Sequence, residues 1–111
     1  IKRYNLSENI HLFSGLSDIE VASVYSLCKL FIFSSIYEGF GIPILEAMAA
    51  NKPMALSNLP VFKEITQDQA IYFQPKDINS IASIINQAMN ETRSLNNFIL
   101  SFFFIQLCNN C

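Results

Sequence analysis

The chain has 111 residues, of which 51% are hydrophobic and 14% charged, with a formal net charge of −2 and a pI near 5.2. That length supports one domain at most, and the lack of a basic excess excludes broad attraction to a polyanion such as nucleic acid. A charged share well below the roughly one quarter usual for soluble domains implies an apolar exterior, suited to packing against more protein. The chain begins with Ile1 rather than Met and is expected to be a piece of a longer protein. Its longest apolar stretch, Phe98 to Cys108, contains Ser101 and Gln106. It falls short of the roughly twenty apolar residues that span a bilayer, and no secretory signal is legible. Three cysteines, Cys28, Cys108 and Cys111, form no dense framework and favour a reducing compartment. The terminal C-x-x-C lacks a second pair or a neighbouring histidine, so it indicates neither a metal site nor a redox motif.

In chain order, Ile10 to Phe13 reads as a short strand with His11, the only histidine, at its start in a structural role. Ser17-Asp18-Ile19-Glu20 carries the capping-box pattern and opens a helix whose apolar face is Ile19, Val21, Val24, Tyr25, Leu27 and Cys28. Leu30 to Phe33 is a continuous apolar run, as a strand covered on both faces requires. A loop from Ser34 to Gly41 follows. Pro43 fits the first turn of a helix that runs to about Ala50, with Asn51 suited to the left-handed position after it. Pro53 to Ser57 is a strand, Leu59-Pro60 opens a short helix to Ile65, and Ala70 to Phe73 is a further strand. Lys63 and Glu64 on the short helix read as an exposed ion pair. Pro75 and Asp77 start a long amphipathic helix bearing Ile78, Ile81, Ile84, Ile85, Ala88 and Met89 at helical spacing. Asn96 to Cys111 shows no clear period and receives no assignment. Strands alternating with helices predict an α/β fold with a parallel sheet, whose ligands bind at the carboxyl ends of the strands.

The segment Tyr37 to Ala47, Y-E-G-F-G-I-P-I-L-E-A, concentrates the chemistry. It leaves a buried strand, turns on glycine and enters a helix. Backbone N–H groups at such a turn and helix start receive phosphate. Glu38 and Glu46, ionised and acceptor-only, suit the hydroxyls of a sugar or ribose. Gly39 and Gly41 let a ligand approach the backbone closely, and Phe40 exposes its amide while its ring packs inward or beneath a sugar. Each feature alone has a plainer reading: a tight turn for the glycines, a solvated loop charge for Glu38, a carboxylate near a positive helix end for Glu46. Together, behind a buried strand, they favour a site. No D-x-D pair occurs, so a metal held by paired aspartates at a diphosphate is not indicated.

From Val21 through Ile85 the sequence resembles the C-terminal half of the retaining GT-B glycosyltransferases of family 4, the glycosyl transferases group 1. The resemblance rests on F-I-F-S-S-I-Y-E-G-F-G-I-P-I-L-E-A-M-A-A-N-K-P-M-A-L-S, F-K-E-I and A-I-Y-F-Q-P-K-D. It implies a partial Rossmann-like sheet and transfer of a sugar from a nucleotide-diphosphate donor to an acceptor hydroxyl with retained configuration, without cofactor or metal. It assigns Glu38 to hydroxyls of the donor sugar, and Gly39, Phe40 and Gly41 to the turn whose amides face sugar and diphosphate. Ile42, with Pro43, begins the helix beneath the phosphates, and Glu46 holds the ribose. It implies a cytoplasmic setting, at the inner face of the membrane where the full-length protein associates peripherally, and a role in polysaccharide or glycolipid synthesis. Asn51 stands where the family often has glycine, and Ser34 where proline is frequent. The family's N-terminal acceptor domain has no counterpart here, nor do its diphosphate-binding Arg and Lys, since Lys2 and Arg3 lie in a different context. Residues 1–95 are therefore expected to form a truncated donor-binding domain, inactive alone, and 96–111 an apolar tail. A free-standing nucleotide-sugar binding or interaction module, an inactive truncated gene product, and an epimerase of the same architecture stay open beside it.

Overall fold

The computed structural model describes residues 2–36, 41–93 and 103–106. After a single 3₁₀ turn at Lys2–Tyr4 come α1 (Asp18–Leu27), β1 (Leu30–Phe33), α2 (Ile42–Ala49), β2 (Met54–Ser57), α3 (Pro60–Thr66), β3 (Ile71–Phe73), α4 (Ile78–Arg93) and β4 (Phe103–Gln106). The strands form one sheet in the order β3-β2-β1-β4, with every pair parallel. Phe31 lies opposite Met54 and Phe104, and Leu56 opposite Tyr72. Parallel neighbours need crossover connections, and α2 and α3 supply them between β1, β2 and β3. The predicted partial Rossmann-like α/β fold is what the chain adopts.

Side chains alternate across a strand, and the apolar strands use both faces. Phe31, Phe33, Met54 and Leu56 pack with Tyr25, Ile44, Ala47 and Phe62 of α1, α2 and α3. Leu30, Ile32, Ala55 and Phe73 face the other way, onto Ala88 with Ile81, Ile84 and Ile85 of α4. The continuous apolar run of β1 is thus explained by helices on both sides of it.

Local signals place the helix ends. Ser17 Oγ accepts from the Glu20 N–H at 3.2 Å, and the Ser17 N–H donates to Glu20 Oε1 at 3.4 Å, a complete capping box. The apolar face of α1 is narrower than the sequence suggests. Ile19 and Leu27 are exposed, leaving Val21, Val24, Tyr25 and Cys28 against the sheet. Lys52 Nζ donates to the Ser26 carbonyl at 2.8 Å, which satisfies an orphan acceptor at the end of α1. Helix α2 ends in a Schellman motif: Asn51 is left-handed at φ 55°, its N–H donates to Met48 O at 2.9 Å, and the Lys52 N–H donates to Ala47 O at 3.1 Å. Asp77 Oδ1 accepts from the Ser80 N–H at 3.1 Å and opens α4.

Further sequence expectations fail. Ile78, expected on the apolar face of α4, is 81% exposed at the first position of that helix. Ile10 to Phe13 forms no strand, and Leu12 and Phe13 stand 77% and 65% exposed. The segment pairs with none of the described strands, and both sides of β1, the strand nearest to it in sequence, are taken by β2 and β4. His11 is exposed in this irregular segment and starts no strand. Lys63 does not make the expected pair with Glu64. Its ammonium sits 5.4 Å from the centroid of the Tyr72 ring, because adjacent helical residues point about 100° apart. The Tyr72 hydroxyl in turn hydrogen-bonds Thr66. Within the unassigned tail, residues 103–106 are the strand β4.

Candidate functional site

With all strands parallel, the carboxyl ends of β1, β2 and β3 share one edge of the sheet. Phe33, Ser57 and Phe73 end the three strands there. The loop after β1 leaves through Ser34, buried Ser35 and exposed Ile36. Asn58 ties two of these ends together by donating its N–H to Phe73 O at 2.8 Å. Ser57 Oγ is buried at this edge with no hydrogen-bond partner among the described residues.

Of the predicted site residues, Glu38, Gly39 and Phe40 lie outside the described residues, as does Tyr37. Gly41, Ile42 and Glu46 are placed. Gly41 is the N-cap of α2 at φ 93°, a conformation only glycine adopts readily. A Cβ there would lie 3.2 Å from both Ile44 Cδ1 and Phe62 Cε1. Gly41 brings no side-chain cap to the helix start, and no acidic residue occupies its first turn. Pro43 has no N–H, and the Ile44 N–H is taken by Gly41 O at 3.0 Å. Among the described residues nothing accepts from the Ile42 N–H, which stands at a positive helix end, and the Ile42 side chain is 63% exposed. Such an end, uncovered by any carboxylate of its own, suits an anion.

Glu46 sits one turn further along α2, exposed to solvent. Its Oε2 accepts a hydrogen bond from the Tyr25 hydroxyl at 3.0 Å, and that hydroxyl also reaches Pro43 O at 3.1 Å. One phenolic proton is thus shared between the side chain and the backbone of α2. Tyr25 is 3% exposed, with its ring 5.6 Å from that of Phe31 at 44°. Burial, then the hydrogen bond and the negative charge of Glu46, push the Tyr25 phenol well above its ordinary value of 10.0. The sequence marks Tyr25 only as part of the apolar face of α1. No spacing signal joins residues 25 and 46, which sit on different helices. Among the described residues no three of His, Cys, Asp and Glu gather as a metal ion would need.

This phenol makes stability depend on alkaline pH. The unfolded tyrosine ionises near 10.0 while the folded one resists. The stabilising contribution is therefore full below pH 10 and is lost as pH rises toward the higher folded value. Thermal unfolding at pH 9, 10 and 11 should show wild type losing more stability than Tyr25→Phe across that window. Parallel losses in the two chains would contradict the assignment. The comparison also removes the contribution of buried Cys28, whose thiol burial likewise pushes up.

The description Glycosyl transferases group 1 belongs to the family whose profile matches residues 1–100. The chain belongs to the group 1 glycosyltransferases. It is 36% identical over 89 residues to the serotype-specific mannosyltransferase WbdA of Escherichia coli, covering 79% of this chain and 11% of that protein. It is 34% identical over 102 residues to the O-antigen chain mannosyltransferase RfbU of Salmonella typhimurium, covering 89% and 29%. It is 29% identical over 98 residues to the MMP alpha-(1->4)-mannosyltransferase of Mycolicibacterium hassiacum, covering 86% and 24%. The group 1 chain thus spans 11% to 29% of the length of these relatives. No solved structure gives a significant match. Among the described residues, no helix is long and apolar enough to cross a membrane.

Proposed function

We propose that this chain carries the nucleotide-sugar donor site of a retaining GT-B glycosyltransferase that transfers a hexose, mannose by the names of its relatives, to an acceptor hydroxyl in surface-polysaccharide or glycolipid synthesis. The observation that carries the reading is the start of α2 at the carboxyl edge of the sheet. There an N–H with no acceptor among the described residues, at a positive helix end, lies one turn from a carboxylate of which one oxygen is held by Tyr25 and the other takes no hydrogen bond from the described residues. Diphosphate requires the first and ribose hydroxyls the second. In this reading Glu46 accepts from the ribose. The N–H of Ile42 and the amides of Gly39, Phe40 and Gly41 face the diphosphate. Glu38 contacts hydroxyls of the donor sugar and orients it as positive charge develops at the anomeric carbon. Oriented donors at the diphosphate stabilise the departing charge without a metal. The acceptor would be held by a further domain of the kind the longer relatives have room for, working at the cytoplasmic face of the membrane.

Binding, rather than turnover, is the property to measure on this chain. Calorimetric titration with GDP-mannose, GDP, UDP-glucose and UDP should give saturable heat with at least one nucleotide pair. Absence of heat with all four at millimolar concentration would reject the donor site.

A further inference from the structure

We propose that Tyr25 is a positioning residue for Glu46, its hydroxyl holding one carboxylate oxygen so that the other is presented to the ribose hydroxyls of a bound nucleoside diphosphate. The inference rests on the reading of Glu46 as the ribose contact. A glutamate on an exposed helical surface has three rotatable bonds, and ordering them on binding weakens affinity. Tyr25 removes that freedom in advance. Its ring is fixed in the core, 3% exposed and packed on Phe31. The same hydroxyl is 3.1 Å from Pro43 O in the first turn of α2, so its place relative to that helix does not depend on Glu46. The contact to Oε2 at 3.0 Å then selects one arrangement of the Glu46 side chain. A carboxylate offers about four lone-pair sites. One donor at Oε2 leaves Oε1 for a diol, and no hydrogen bond from the described residues occupies Oε1.

A purely structural role explains less. Pro43 O alone gives the buried hydroxyl an acceptor, and Glu46 is exposed enough to be satisfied by water. Neither group needs the other for the fold. A phenol also differs from a lysine or arginine in this place. It donates without bringing a positive charge that would hold the carboxylate in a competing ion pair. A phenol is protonated throughout the neutral range, and burial only moves its ionisation further from it, so the donor stays in place.

The test is a double-mutant cycle on the full 111-residue chain with Tyr25→Phe, Glu46→Ala and the pair combined. Affinity is read by calorimetry with GDP and UDP as probes, and folding by thermal unfolding of each variant. Tyr25→Phe is expected to weaken binding of the tighter probe by about three- to tenfold, and to change it less than about twofold once Glu46 is alanine. A third variant, Glu46→Asp, keeps the charge but withdraws the carboxylate by one methylene. It should lose at least as much affinity as Tyr25→Phe even if Tyr25→Phe itself folds poorly. Equal losses from Tyr25→Phe in both backgrounds, or wild-type affinity in Tyr25→Phe or Glu46→Asp beside a clear loss in Glu46→Ala, would overturn the positioning role and leave the Glu46 reading intact. An unchanged Glu46→Ala, or a wild-type chain that binds neither probe, would overturn the Glu46 reading and the inference with it.

Discussion

Replacing Phe62 by alanine is expected to lower the stability of this chain by about 3–5 kcal/mol, the range for deleting a fully buried phenylalanine. Phe62 is 0% exposed. Its ring is 5.4 Å from that of Phe33, tilted by 39°, so it joins α3 to the central strand β1. It also lies beneath Gly41, the residue that starts α2. A domain of this size has a total stability of about 5–15 kcal/mol, so the substitution removes a large fraction. At roughly 4–8 °C per kcal/mol, the midpoint of thermal unfolding should fall by at least about 12 °C. Ile19→Ala, on the exposed side of α1, is the control and should stay within about 0.5 kcal/mol. A Phe62→Ala chain that unfolds within about 3 °C of wild type would show that α3 does not support the sheet as described. The same cavity loosens the floor under the start of α2, so nucleotide binding should weaken even at temperatures where the variant remains folded.

The second large effect concerns ligand. Glu46→Gln should weaken free nucleotide and nucleotide sugar alike, by about ten- to a hundredfold, since a hydrogen bond to a charged acceptor is worth about 1.5–3 kcal/mol. Glu38→Gln should leave GDP or UDP affinity nearly unchanged and weaken only the corresponding nucleotide sugar. The division follows from what each carboxylate is proposed to touch: ribose in one case, transferred sugar in the other. Calorimetry with the paired ligands reads it directly. Equal losses for nucleotide and nucleotide sugar in Glu38→Gln would remove the proposed contact with the donor sugar. A Glu46→Gln chain with unaltered nucleotide affinity would remove the ribose contact.

Both predictions depend on elements of different legibility. The capping box at Ser17 and Glu20, the left-handed Asn51 and the apolar run Leu30 to Phe33 are signals written within a few residues, and each appears in the structure where the pattern places it. The strand expected at Ile10 to Phe13 has the same local quality and is absent. An apolar tetrapeptide states only that it can pair. Whether it does so beside a given strand is decided by the rest of the chain, and here β2 and β4 take the two sides of β1. Lys63 is a similar case: its charge is visible in sequence, but its neighbour, the Tyr72 ring, is brought to it by the return of the chain through β3.

For the site, the order of residues by itself determined the turn and helix start at Gly41 to Pro43, the carboxylate one turn on, and the parallel α/β layout that puts them at the ends of strands. These are consequences of short-range sterics and hydrophobic periodicity, which act within a few residues. Only the tertiary structure decided that Tyr25, on another helix, would meet Glu46 and Pro43 with a single proton, and that Phe62 would lie beneath Gly41. Those contacts exist because α1, α2 and α3 share one face of the sheet, and packing distances between helices leave no trace in the spacing of residues along the chain.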